Sequence, residues 1–174
     1  MQRIQTRRII RTALTAALLC LICPISVPFG PVPVTLATFA VCLAAGLLGP
    51  WLGACAVGLY LALGALGLPV FSGWSGGISR LFDITGGFLF GYIPLVIVSG
   101  LVLRAQAPRI CIYLGVMAAM LTCHLPGALW FCYVGETSLP AAFLTASLAY
   151  LLPDFIKAIA AVQCAKILAK KLPV

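Results

Sequence analysis

The chain consists of six long apolar runs, with nearly all of its charges in the gaps between them. A helix needs roughly 20 apolar residues to cross hydrocarbon, about 17–25 being usual. The runs extend from about Ile9 to Ile25, Val34 to Leu48, Trp51 to Leu66, Ile84 to Leu103, Ile110 to Tyr133 and Leu139 to Leu168. The second and third are short and are separated only by Gly49-Pro50, a tight-turn signal. Such runs leave little to face water. Hydrophobic residues make up 63% of the chain and charged residues 8%, whereas a soluble domain carries about 25% charged and about 45–50% apolar residues. A soluble globule and a disordered chain are both excluded. The runs are continuously apolar and lack the alternation of a membrane barrel. Strands are therefore not expected, and the predicted class is all-α.

Charge position sets the predicted topology. Lys/Arg-rich ends and loops stay in the cytoplasm. Arg3, Arg7, Arg8 and Arg11 precede the first run, Arg104 and Arg109 lie between the fourth and fifth, and Lys166, Lys170 and Lys171 end the last. Six transmembrane helices with both termini cytoplasmic put all nine on one side, and five would not. The net charge of +8 thus reports orientation, and nucleic acid is not an expected partner. The basic start resembles a signal peptide, but removing the first run would spoil the charge agreement, so cleavage is not expected. One transmembrane domain over residues 1–174 is the predicted organisation.

The remaining basic residues and two of the three acids carry the interest. An ionisable residue within an apolar run is a functional candidate by default, because each costs about 2.5–3.5 kcal/mol at a span centre on insertion scales. Asp154 and Lys157, in Pro153-Asp-Phe-Ile-Lys157, are three apart and share one helix face. A purely structural pair is the competing reading, although apolar packing replaces such pairs without loss. Pro153 suits a first helical turn, so the last crossing helix is expected to start there and run to about Lys170, about 27 Å at 1.5 Å per residue. Asp154 would then sit in its first turn near the outer side, with Leu139–Leu152 as a short surface helix. The rival is one long helix kinked at Pro153, with the Ala149 carbonyl lacking its helical donor.

The loop from Gly67 to Gly87 holds six glycines, at 67, 73, 76, 77, 86 and 87. Glycine allows positive φ and close backbone approach, so the loop can present backbone groups to a cavity at membrane depth. Gly76, Gly77 and Ser79 are candidates for that role. Arg80 and Asp83 are spaced to pair, and Phe71, Trp74 and Phe82 can cover an apolar ring. An exposed connector is the plainer alternative. No GKS/T follows the glycines, so a phosphate loop is not supported. The loop from Pro24 to Thr35 holds four prolines and reads as a stiff lid or a connector, with Phe29 and Thr35 as candidate contacts. Eight cysteines lie mostly within apolar runs and read as small buried residues. The single His124 cannot complete a metal set, so no metal and no cofactor are expected. Ala13 and Ala17, four apart, make a small-residue face where another helix can approach.

Four stretches together resemble the BioY family, the biotin-specific substrate-binding (S) component of energy-coupling factor (ECF) transporters. They are Pro31-Val-Pro-Val-Thr-Leu36 with Ala45-Gly-Leu-Leu-Gly49, Gly67-Leu-Pro-Val-Phe71, Thr85-Gly-Gly-Phe-Leu89, and Pro153-Asp-Phe-Ile-Lys157. The chain differs from the family pattern at Ala37, at Asp83-Ile84 and at Pro153. The resemblance implies a compact six-helix fold, multi-pass in the plasma membrane, that captures biotin from outside. It also implies partners: a transmembrane coupling subunit, docked on the Ala13–Ala17 face, and two ATPase subunits. Biotin offers ureido N–H donors, a ureido carbonyl, an apolar ring and a carboxylate. Asp154 would accept the ureido N–H groups, Lys157 and Arg80 would meet the carbonyl or the carboxylate, and Phe29 and Trp74 would cover the ring. A self-contained proton-coupled transporter using Asp154 is the alternative, but no internal repeat of the usual kind is present. One histidine and three scattered acids offer no catalytic set for an enzyme.

Overall fold

The computed structural model describes residues 2–28 and 32–171. Helix α1 spans Gln2–Ile22. A two-residue antiparallel ribbon follows, β1 at Ser26–Val27 against β2 at Val34–Thr35, in the register Ser26 to Thr35 and Val27 to Val34. Then come α2 at Ala37–Leu48 and α3 at Pro50–Ala65. Two 3-10 turns, Ser72–Trp74 and Ile78–Leu81, lead to α4 at Gly86–Arg104. Next are α5 at Arg109–Val134 and α6 at Leu139–Phe143. A π-helical turn at Leu144–Leu148 joins α6 to α7 at Ala149–Lys171.

Among the described residues, three helices are long and apolar enough to cross a membrane: Gly86–Arg104, Arg109–Val134 and Leu139–Leu168. Helices α2 and α3 are shorter, about 18 and 24 Å at 1.5 Å per residue. They make a hairpin, and its corner depends on Gly49. This residue has φ 76°, and Pro50 behind it fills the first helical position. The Arg104 guanidinium fills the corner and donates to the Leu48 carbonyl at 3.1 Å, so a Cβ on Gly49 would overlap it. The end of α4 thereby closes the carbonyl end of α2, as a cation at a helix C-terminus should.

Helices α4 and α5 form the most extensive pair. Gly87 makes this approach possible, because a Cβ there would lie 2.3 Å from the Trp130 Cβ and 2.7 Å from the Pro126 carbonyl oxygen. The core runs through Val41, Cys42, Val57, Leu95, Val96, Val116, Ala161 and Val162, all fully buried. The outside is equally apolar: Leu14, Leu21, Leu114, Leu129 and Ile156 are each more than half exposed. This is the pattern of a bundle whose solvent is lipid.

Two expectations change. The last crossing helix does not begin at Pro153: helical structure is continuous from Leu139, and the proline lies inside α7. The long-helix alternative is the arrangement found. The π turn widens the helix just before the proline, where its missing amide and its ring must be accommodated. Asp154 therefore falls midway along the Leu139–Leu168 span and not in a first turn, so side chains must stabilise it in place of a helix end. The proline-rich loop is also more structured than expected. Leu36 N–H donates to the Ile25 carbonyl at 3.0 Å and extends the ribbon pairing.

Candidate ligand-binding site

A cavity of about 230 Å3 lies where the ribbon and the glycine-rich loop meet α2, α4, α5 and α7. That is slightly below the roughly 300–1,000 Å3 of typical small-molecule sites, and it suits a compact ligand. Val32–Thr35 line one wall and Phe71, Ser72 and Ser75 another. Thr38, Phe88, Leu89 and Tyr92 come from α2 and α4, and Cys123 and His124 from α5. Ala146, Tyr150, Asp154 and Lys157 complete the lining from the π turn and α7.

The deepest group is a charged network. Asp154 is 5% exposed. The Lys157 ammonium contacts Oδ1 of Asp154, and Thr38 Oγ1 donates to the same oxygen at 3.0 Å. His124 Nε2 lies 3.2 Å from Oδ2. Lys157 also donates to the backbone carbonyl of Thr35 at 2.7 Å. Donors from α2, α5 and α7 thus converge on one carboxylate, which is how a buried charge is made tolerable. Three of the roughly four lone-pair sites of the carboxylate are occupied. One acceptor direction on Asp154 and one N–H of Lys157 have no partner among the described residues.

The ribbon is fastened to α7 at two points. Lys157 holds Thr35, and the Tyr150 hydroxyl donates to the carbonyl of Val32. Tyr150, Asp154 and Lys157 follow an i, i+4, i+7 spacing, which places all three on one stripe of α7. At the cavity mouth Arg80 Nη1 pairs with Asp83 Oδ2 at 2.9 Å, both residues being about half exposed. Asp83 Oδ1 accepts the Ile84 N–H at 2.7 Å, and its backbone carbonyl accepts from Trp130 Nε1 at 2.9 Å. The loop is therefore tied to α5. Phe71 is buried edge-on against Tyr60, with ring centroids 5.6 Å apart.

Of the candidates read from sequence, Asp154, Lys157, Arg80 and Thr35 meet in the cavity wall. Trp74 is 61% exposed, and neither it nor Gly76, Gly77 or Ser79 lines the cavity. Gly76 and Gly77 shape the loop: Gly77 has φ 102° and donates to the Gly64 carbonyl at 2.7 Å, which turns their neighbours Phe71, Ser72 and Ser75 inward. Phe29 lies outside the described residues. Ala13 and Ala17 are exposed on α1, while Ala16 and Leu19 on its other face are buried. All eight cysteines are unpaired, and no group of three metal-binding side chains occurs among the described residues.

Sequence reading missed His124, Thr38 and Tyr150. His124 carried a usable signal, being ionisable within an apolar run like Asp154. Thr38 and Tyr150 carried none, since the partners they meet are more than 100 residues away.

Comparison with known proteins agrees with this architecture. The sequence model of the BioY family matches residues 1–174. A probable biotin transporter BioY from Pyrococcus horikoshii is 39% identical over 155 residues, covering 88% of this chain and 91% of that protein. The biotin transporter BioY of Rhizobium etli is 36% identical over 168 residues, covering 90% and 89%. In three dimensions the chain is similar to the crystallised S-component for biotin from an ECF-type ABC transporter. The TM-score is 0.84 at 26% identity, covering 98% of this chain and 94% of that one. Fold, motifs and matched length agree: the chain belongs to the BioY family.

Proposed function

We propose that this chain is a membrane-embedded substrate-binding component that captures biotin from the outer side. It delivers the vitamin inward with an ATP-driven ECF module, made of a transmembrane coupling subunit and two ATPase subunits. The observation that carries the reading is the Asp154–Lys157 pair, buried at mid-span on the wall of a ligand-sized cavity. A structural ion pair would need no cavity beside it. The remaining acceptor direction of Asp154 meets a ureido N–H, and the remaining N–H of Lys157 meets the ureido carbonyl. Phe88, Leu89 and Tyr92 supply an apolar wall for the ring and chain. Arg80 at the mouth exchanges Asp83 for the ligand carboxylate, a bidentate match. Ring cover by Trp74, and backbone contacts from Gly76, Gly77 and Ser79, require the glycine-rich loop to fold further over the ligand.

The basic residues at the ends of α1 and α7 and between α4 and α5 support a plasma-membrane protein with both termini in the cytoplasm. The cavity then faces outward beneath the ribbon and the loop. Ala13 and Ala17 give the coupling subunit a close approach on α1. Energy comes from the partners, and the chain itself performs no chemistry on biotin.

Mass spectrometry of small molecules co-purifying with the protein is the decisive experiment. Biotin in stoichiometric amount supports the reading. A different metabolite, or unchanged biotin affinity in both Asp154→Asn and Lys157→Ala, overturns it.

A further inference from the structure

His124 is the single histidine of the chain, and it lies in the middle of an apolar helix. It is 3% exposed and lines the cavity. Its ring stands edge-on to Phe88, with centroids 6.0 Å apart, and its backbone carbonyl accepts from Ser147 at 3.3 Å. Phe88 packs against the ring itself, and Ser147 anchors the backbone that carries it. Nε2 faces Oδ2 of Asp154, whereas Nδ1 is buried without a hydrogen-bond partner among the described residues.

These contacts decide where the proton is. Asp154 already receives Lys157 and Thr38, so it is a carboxylate and can only accept. Nε2 must therefore carry a hydrogen. Nε2–H is thus the donor to Asp154, and Nδ1 has no partner among the described residues. We infer that His124 is the positioning residue of the site. Its Nε2–H bond fixes the plane of the Asp154 carboxylate, so that the one unoccupied acceptor direction points to a ligand N–H. Thr38 and Lys157 both hold Oδ1, and His124 is the group that holds Oδ2. Without it the carboxylate can rotate toward Lys157 and present no fixed acceptor. The inference rests on the reading of this cavity as the biotin site.

The test uses the purified full-length chain in lipid nanodiscs, and it has two arms. The first is 15N NMR of protein labelled at histidine, where one residue gives one pair of ring signals. A protonated Nε2 is expected without biotin, and its signal should move in Asp154→Asn. The second is biotin titration of His124→Gln, His124→Asn and His124→Phe. A glutamine amide nitrogen reaches the place of Nε2, whereas that of asparagine reaches only the place of Nδ1. His124→Gln should bind within about 3-fold of the parent, and the other two roughly 10- to 100-fold more weakly, the range for a lost hydrogen bond to a buried charge. Equal affinity in all three variants, or a bare Nε2 in the parent, overturns the inference. If the parent protein fails to bind biotin, the ligand assignment falls, while the ring signals still decide whether Nε2–H holds Asp154.

Discussion

Asp154 draws its donors from three helices, so its charge state, its orientation and the packing of α2, α5 and α7 are linked. Replacing it by asparagine keeps the shape but removes the anion, and leaves the Lys157 ammonium with neutral acceptors only, the Thr35 carbonyl among them. Biotin affinity should fall by about two orders of magnitude, since hydrogen bonds to charged groups contribute about 1.5–3 kcal/mol each. Isothermal titration measures this directly. A more discriminating variant replaces both members of the pair, Asp154→Leu with Lys157→Leu. A buried ion pair exchanged for apolar residues is often neutral or stabilising by about 1–4 kcal/mol. Here the exchange also strips Thr38, His124 and the Thr35 carbonyl of their partners, so the double variant should melt below the parent but above Lys157→Leu alone, while losing biotin binding. Retained binding would mean that the pair is structural only. The pair was legible in the sequence because two ionisable residues three apart in an apolar run are conspicuous. His124 carried the same kind of signal, an ionisable group in an apolar run, but its role shows only in a partner 30 residues away.

At the scale of elements, the ribbon strand β2 and the residue leading into it are tied to α7 at two points. The Tyr150 hydroxyl holds Val32, one turn before Asp154, and Lys157 holds Thr35. Tyr150→Phe removes a single hydroxyl and keeps the ring in its apolar cluster with Val32, Phe131, Ala142 and Ala146. Release of labelled biotin should accelerate by roughly 2- to 10-fold, the kinetic equivalent of one neutral hydrogen bond of about 0.5–1.5 kcal/mol. The melting temperature should barely change. An unchanged dissociation rate would show that the ribbon does not gate the cavity. The α4–α5 pair makes the opposite kind of demand. Gly87→Val inserts a branched side chain against the Trp130 Cβ and the Pro126 carbonyl. Overpacking typically costs about 1–3 kcal/mol, and a thermal melt should show the loss. The ribbon escaped the sequence because two-residue strands carry no periodicity. The long last helix was misjudged because Pro153 is a genuine breaker signal, and the neighbouring π turn that accommodates it leaves no compositional trace.

For the whole molecule, the same apolar character covers the interior and the exterior, so burial alone does not separate the faces that meet lipid from those that meet a partner protein. Size does. Most of the exposed surface of α1 is large and suits lipid: Ile9, Ile10, Leu14 and Leu21 are each more than half exposed. Ala13 and Ala17 interrupt that surface with a shallow strip, while Ala16, Leu19 and Cys23 on the opposite side are packed into the core. Without a hydrophobic force between helices in lipid, association depends on close backbone approach, and this strip is where α1 permits it. Neither alanine lines the cavity. Ala13→Leu with Ala17→Leu should therefore leave biotin affinity and thermal stability at parent values. The same variant should abolish biotin uptake in cells that also express the coupling and ATPase subunits, and should fail to co-purify with them. A loss of biotin affinity would place α1 within the binding site. Unimpaired uptake would move the docking surface to another helix. Parent-like affinity together with lost uptake would make binding by the isolated chain and transport by the assembly separable functions, since Ala13 and Ala17 lie outside the cavity lining.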